Sequence, residues 1–271
     1  MSRSRILTLT TDFGTSDTYV GQMKGVVLSL APDVTLVDLS HDVPAHDVYA
    51  GAFVLRTGCP VFPEGTIHIA VVDPGVGTPR RGIVVRTERY YFLAPDNGLL
   101  TRVLEDDPPR EAYALEAIHL RRSSVSATFE GRDVFAPAAA WIARGIPISN
   151  FGPSAGDLVR LPIHRPAIAA GVPVRVRVLL VDRFGNVTLD LPRRLLEAAL
   201  ADAGGGSRPI LVVVPRGQVT AFCRTYAEGP ADDAFLLFNS ADHLEIAVRN
   251  GRAADRLGLA PGADVEIRIV G

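Results

Sequence analysis

Lysine is almost missing from this sequence: Lys24 stands alone among 28 basic residues, and the rest are arginine. No Walker-type phosphate loop can be built around it, and no Gly-x-Gly-x-x-Gly follows the first predicted strand. Gly-x-Ser-x-Gly is absent as well, which disfavours serine hydrolases of the nucleophile-elbow type. Cysteine is scarce. Cys59 and Cys223 lie far apart and in no metal-ligand spacing, so neither a disulfide framework nor a zinc site is expected. No run of about 18 apolar residues occurs, and Met1-Ser-Arg-Ser-Arg5 leads into a short strand rather than an apolar leader, so a soluble cytoplasmic protein is expected. A net charge of −2 supplies no pull toward nucleic acid or an anionic membrane, and neither is expected as a partner.

What is present is an ordinary globular balance, 47% hydrophobic and 21% charged over 271 residues, enough for one large domain or two modest ones. Apolar runs predict strands at residues 5–10, 34–39, 67–72, 82–87 and 90–94. Helical spacing predicts helices over 18–30 and from Asp47 to about 56, a short one near 98–104, and another over 133–143. Ser16 or Asp17, Asp47 and Asp133 are candidate caps. This β-α-β-α-β order predicts an α/β fold, with a mostly parallel central sheet in an amino-terminal domain over residues 1–165. Residues 145–173 carry five prolines and read as a connection. From 174 onward short strands dominate, at 174–181, 187–191, 210–214, 234–238, 244–248 and 265–270, with helices only at 193–200 and 253–257. A smaller, mainly β domain of barrel or sandwich type is predicted over 166–271. The Gly204-Gly-Gly-Ser207 stretch reads as a flexible loop within it.

In an open α/β sheet, ligands bind outside the carboxyl ends of the strands, and polar residues collect at four such places. Asp12 directly follows the first strand and suits a ribose diol. After the second strand lie His41, His46 and Asp47; without further His or Cys at ligand spacing no metal is expected, and His46 is placed on a pocket wall. After the third comes Asp73-Pro-Gly-Val-Gly-Thr-Pro-Arg80 with Arg81. Its carboxylate and guanidinium can orient a small polar reactant or simply close a salt-bridged hairpin. The fourth is Thr128-Phe-Glu-Gly-Arg-Asp133, where Glu130 and Gly131 can face the same cleft and Arg132 can pair with a carboxylate. The second half adds Asp182-Arg-Phe-Gly-Asn186, Tyr226, Ser240, Arg249 and Asn250. Asp182 to Asn186 reads as a hairpin turn, since Gly and Asn supply positive φ, though Asn186 also suits the polar end of an amino acid.

Taken together these motifs resemble one family, the S-adenosylmethionine (SAM) hydrolases or SAM hydroxide adenosyltransferases, relatives of the adenosyl-fluorinase and adenosyl-chlorinase. The matching stretches are Thr11-Asp-Phe-Gly14 with Asp17, Lys24-Gly25, Pro32-Asp-Val34, Asp47-Val-Tyr-Ala-Gly-Ala52, Phe62-Pro-Glu-Gly-Thr66, Val72-Asp-Pro-Gly-Val-Gly-Thr78, Ala94-Pro-Asp-Asn-Gly-Leu-Leu100, Gly131-Arg-Asp133, Asp182-Arg-Phe-Gly-Asn186 and Arg249-Asn250. They span nearly the whole chain in family order. The resemblance implies a homotrimer in which SAM lies between the amino-terminal domain of one subunit and the carboxy-terminal domain of its neighbour. Water attacks the ribose 5′ carbon, and adenosine and L-methionine result, with SAM as substrate and no metal or organic cofactor. By the same matching Asp73 and Arg80 hold the water and Asp12 grips the ribose hydroxyls. Asp182 and Asn186, with Ser240 nearby, hold the methionine amino and carboxylate groups. Tyr226 stacks near adenine, and Arg249 and Asn250 meet its edge.

One position departs from the pattern. The hydrolases usually carry Phe-His-Gly-Arg-Asp where this chain has Phe129-Glu-Gly-Arg-Asp133. Glu130 can accept a proton in the histidine's place, although a second carboxylate beside Asp73 raises one of the two pKa values unless the arginines neutralise the pair. A one-residue register slip would exchange Arg80 and Arg81. A halide about 4 Å from an ionised Asp73 would be repelled by about 4 kcal/mol at an effective dielectric near 20, roughly a thousandfold in affinity, so water is the expected nucleophile. The alternatives are a SAM- or adenosine-binding protein disabled by loss of the histidine and, behind it, a SAM-dependent halogenase.

Overall fold

The computed structural model describes residues 5–163, 165, 167–169, 171–202 and 209–270, and the predicted loop at 204–207 lies outside them. The chain divides into two compact units, Met1–Pro162 and Ile163–Gly271.

The first unit runs β1 (Ile6–Thr11), α1 (Tyr19–Leu30), β2 (Thr35–Ser40), α2 (Val48–Gly58), β3 (Ile67–Val71), β4 (Gly82–Arg86), β5 (Tyr91–Pro95), α3 (Val103–Asp106), β6 (Glu111–Ala114) and α4 (Ala136–Ala143). Its sheet has the order β2-β1-β3-β5-β4-β6. Only β4 opposes the rest, so the sheet is mostly parallel, as predicted. Both faces are covered. Ile67, Ile69 and Val71 pack with Met23 and Val27 of α1 and with α4, while Ala70 and Val72 join Leu55 of α2 and Leu104 of α3 on the other side. This alternation is the period of two of an extended chain, and burial on both faces explains the continuous apolar runs.

Asp47 caps α2, its carboxylate accepting the Ala50 N–H at 3.0 Å. The cap of α1 differs from expectation. Thr18, not Ser16 or Asp17, holds the N-cap position, and its hydroxyl accepts the Gln22 side-chain amide at 2.8 Å rather than capping a backbone N–H. The helix near 98–104 is only the turn Val103–Asp106, because Gly98 at φ +93° breaks the run and the Thr101 hydroxyl donates back to its carbonyl. The short β6 escaped the sequence reading; Glu111 and Tyr113 are only half-buried on this edge strand, so its apolar pattern is weak.

The second unit contains β7 (Val174–Val181), β8 (Val187–Pro192), α5 (Arg193–Asp202), β9 (Ile210–Val214), β10 (Gly217–Val219), β11 (Ala234–Phe238), β12 (His243–Val248), α6 (Ala253–Leu257) and β13 (Asp264–Ile269). They form one antiparallel sheet ordered β10-β9-β13-β7-β8-β12-β11. Phe222, just past β10, bridges to Leu236 of β11, so the two ends of the sheet approach each other in the barrel-like curl expected. Both cysteines are free. No helix among the described residues is long and apolar enough to cross a membrane.

Candidate active site

The carboxyl ends of β1 and β3 open into a cavity of about 220 Å³ lined by Asp12, His46, Asp73, Thr128, Phe129 and Glu130, among others. Asp12 is the first residue after β1. Its Oδ2 accepts the backbone N–H of His46 at 2.8 Å. His46 adopts φ +64°, a left-handed conformation that is unusual for a residue with a Cβ and costs backbone energy. Its strain is offset where its N–H meets the Asp12 carboxylate.

Asp73 stands two residues beyond β3, where the chain leaves the sheet. The Gly75 N–H donates to its Oδ1 at 3.2 Å, closing the turn on the carboxylate. Gly77 sits at φ +82° in this turn, which a side chain would strain. Arg80 then folds back along the loop. Its Nε donates to Asp73 Oδ1 at 2.9 Å, and its Nη2 donates to Asp73 Oδ2. Its Nη1 reaches across the cavity wall to Glu130 Oε2 at 2.7 Å. Three of the five guanidinium N–H groups are thereby engaged by two carboxylates. Burial works against the Arg80 charge, but the bonds and charges of Asp73 and Glu130 outweigh it and raise its pKa. Arg80 and Asp73 are almost fully enclosed, with side chains 9% and 5% exposed, while Glu130 keeps 23%.

Arg81 points elsewhere. It pairs with Asp96 at 2.6 Å and Asp157 at 2.8 Å. Of the two arginines, Arg80 is the one that meets Asp73 and Glu130, so the carboxylate pair shares one guanidinium rather than two.

Glu130 owes its position to the turn that follows it. Residues Gly131–Phe135 form a π-helical turn that runs directly into α4. A Cβ on Gly131 would lie 3.2 Å from the Met23 sulfur, so a side chain there would push that sulfur back by a few tenths of an ångström where the turn meets α1. Asp133 is not the cap predicted for it. It lies inside the turn, fully buried, accepting from Arg122 and Arg132 at 2.7 Å and from the Ser126 N–H at 2.8 Å. Burial opposes its charge, yet these donors hold its pKa down at about 2. Arg132 pairs with this neighbour and stacks over Phe129. Phe13, Tyr19 and Phe129 meet edge to face beside the cavity.

His41 lies outside the cavity. It is buried, its Nδ1 bonds the Thr11 hydroxyl at 2.8 Å, and its Nε2 lies 3.0 Å from Asp38. Among the described residues no group of three or more His, Cys, Asp or Glu is placed to hold a metal ion.

A second cavity of about 770 Å³ belongs to the carboxy-terminal unit, with Asp182, Asn186, Tyr226, Arg249 and Asn250 on its walls. Asp182 and Asn186 close the predicted turn, with Gly185 at φ +86°. Asp182 accepts both the Asn186 N–H at 2.8 Å and its side-chain amide at 3.0 Å, so the two act as one unit. Asn250 at φ +55° is in a conformation that Asn tolerates. Ser240 is exposed in the β11–β12 turn and is not among the lining residues. The sequence reading missed Glu245, the one charged residue within the apolar run of β12. It is 3% exposed and accepts the Tyr226 hydroxyl at 2.7 Å and the Asn239 amide at 3.0 Å.

Residues 7–152 match the SAM hydroxide adenosyltransferase N-terminal domain, and residues 176–266 match the corresponding C-terminal domain. The chain belongs to the SAM hydroxide adenosyltransferase family. Within and around this family it is 38% identical to a (R)-S-adenosyl-L-methionine hydrolase of Thermus thermophilus, over 94% of this chain and 96% of that protein. A protein of the same name from Salinispora arenicola is 37% identical, over 98% and 99%. A fluorinase of an Actinoplanes species is more distant, 28% identical over 97% of each chain. The fold is shared with an uncharacterized conserved protein of Thermotoga maritima at a TM-score of 0.86 and 32% identity, covering 97% of this chain and 99% of that one.

Proposed function

We propose that this member of the SAM hydroxide adenosyltransferase family hydrolyses S-adenosyl-L-methionine to adenosine and L-methionine. The observation that carries the reading is Arg80 bridging Asp73 and Glu130 on the wall of the cavity that also holds Asp12. The sulfonium is already a good leaving group, so the protein need only orient one water in line with the C–S bond and take its proton. In this reading the water oxygen bonds to the ribose 5′ carbon, and the C5′–S bond breaks with its electron pair left on the methionine sulfur. Asp73, held at both oxygens by Arg80, orients the water. Glu130 engages Arg80 through Oε2 alone and accepts the released proton at its other oxygen. Asp12 takes the ribose hydroxyls, and His46 borders them.

The remaining assignments follow the family likeness and, for all but Ser240, the second cavity. Asp182 and Asn186, with Ser240, hold the amino-acid end of SAM. Tyr226 stacks on the adenine, and Arg249 and Asn250 meet its edge. The reading includes a homotrimer, with SAM between the amino-terminal unit of one subunit and the carboxy-terminal unit of its neighbour, a cytoplasmic location, and no cofactor. Water is favoured over halide because two carboxylates face one guanidinium, leaving an excess of negative charge at the nucleophile position.

Incubation with SAM and chromatography of the products tests the reading. Adenosine and methionine should form in equal amounts, and the Asp73→Asn variant should lose at least about a hundredfold in rate. Adenosine formation no faster than in that variant would sink the assignment. SAM binding without turnover, with turnover gained in Glu130→His, would make the chain a disabled SAM-binding protein. A chloride-dependent 5′-chloro nucleoside would make it a halogenase.

A further inference from the structure

A buried carboxylate needs an explanation, since desolvating its charge costs free energy unless hydrogen bonds replace the lost water. Glu245 lies in the middle of β12, opposite Thr188 of β8 and Leu237 of β11. Burial pushes its pKa above the usual carboxylate range, the bonds from Tyr226 and Asn239 offset this in part, and the nearby charge of Asp182 adds to it. It does not line the larger cavity. Both of its oxygens are nevertheless tied to that cavity's surroundings.

On one side is Tyr226. Its ring stands on a three-residue helical turn, Tyr226–Glu228, in a stretch between strands, and the residue is 48% exposed. Packing alone does not hold such a side chain in one rotamer. Its hydroxyl is anchored at 2.7 Å on Glu245 Oε1, a charge-assisted bond stronger than a neutral one. On the other side is Asn239, whose amide donates to Glu245 Oε2 and, at 3.1 Å, to the Thr188 hydroxyl. The Asn239 carbonyl oxygen in turn accepts the N–H groups of Ala241 and His243, which shapes the turn carrying Ser240.

We propose that Glu245 is the positioning residue of this cavity: by accepting the Tyr226 hydroxyl it holds that ring as a fixed wall for a purine base. The proposal rests on the assignment of the adenosine end of SAM to this cavity. Glu245 touches no ligand; its effect passes through Tyr226, so it should act on nucleoside binding and leave the bond-breaking step alone.

The test measures dissociation constants for adenosine and methionine, and KM and kcat for SAM, in wild type, Glu245→Gln, Tyr226→Phe and the double variant. Tyr226→Phe removes only a hydroxyl from a half-exposed side chain, so it keeps the test open should Glu245→Gln fold poorly. Adenosine binding should weaken about tenfold in each single variant and no further in the double. Methionine binding should be unchanged, and kcat should stay within about threefold while KM rises. Independent, multiplying losses in the two variants, or unchanged adenosine binding in Tyr226→Phe, would overturn the proposal while leaving the hydrolase reading intact. Failure of the wild type to bind adenosine or SAM would remove both.

Discussion

Glu130 and Arg80 share one hydrogen bond, and the chemistry assigned to the cavity turns on it. A glutamine at position 130 keeps the shape and an acceptor for Arg80 but cannot take a proton. Glu130→Gln should therefore lower kcat by about a hundredfold or more with KM changed by less than about threefold, as steady-state kinetics would show. An equal rise in KM with kcat intact would mean that Glu130 only binds. The neighbouring arginines offer an internal control. Arg80→Ala leaves Asp73 and Glu130 unpaired on a nearly enclosed wall and should abolish measurable turnover. Arg81→Ala breaks pairs with Asp96 and Asp157 outside the cavity and should keep kcat within about threefold.

Two elements make the first unit sensitive to acid, in pH windows that overlap only between about 4 and 3. Asp133 locks the π-helical turn to Arg122, Arg132 and Ser126. With its pKa held at about 2 against an ordinary 3.8, its contribution is complete above about pH 4 and lost as the pH falls toward 2. That loss is about 2 kcal/mol. His68, in β3, is fully buried among Phe62, Tyr90 and Phe92, with Nδ1 bonded to Thr8 and Nε2 meeting no partner among the described residues. Burial lowers its pKa to about 3 from 6.5, because a proton would place an unpartnered charge in the core. The unfolded chain binds that proton first. Stability from His68 is therefore complete above about pH 6.5 and declines as the pH falls toward 3, by about 1.4 kcal/mol per unit. Denaturant titrations should show this slope between pH 6 and 4 in wild type, and a shallower one in His68→Phe. Equal slopes would mean that His68 is already protonated in the fold.

At the scale of the whole molecule, the residues assigned to SAM fall on two cavities, one in each unit. The carboxylates and Arg80 belong to the first, Tyr226 and the Asp182–Asn186 pair to the second. The proposed trimer predicts a mass near 87 kDa by light scattering, about three times the 29.0 kDa chain. It also predicts that dilution to monomers abolishes turnover, and a fully active monomer would refute the shared-site arrangement.

Much of this was legible in the residues. Apolar runs of period two and helices of period 3.6 mark the order of elements, because burial on one or both faces is what such spacing encodes. Asp12 and Asp73 could be placed at a cavity from sequence alone, since they follow parallel strands at the end of a sheet where ligands bind. Other features depend on groups far apart in the chain. Asp133 looked like a cap because an acid before a helix usually is one; its partner Arg122 approaches from eleven residues away and draws it into the turn. Arg80 and Arg81 are alike to any local rule, and only the positions of Glu130, Asp96 and Asp157 separate them. Glu245 carries a faint signal, a charge inside an apolar strand, but its meaning comes from Tyr226, nineteen residues earlier and brought beside it by the fold. The sequence by itself determined the main strands and helices and which acids end the strands, because those are set by local periodicity, while the edge strand β6 and the π-helical turn were not. Tertiary structure alone decided which arginine meets which carboxylate, because ion pairing depends on distances that no spacing along the chain records.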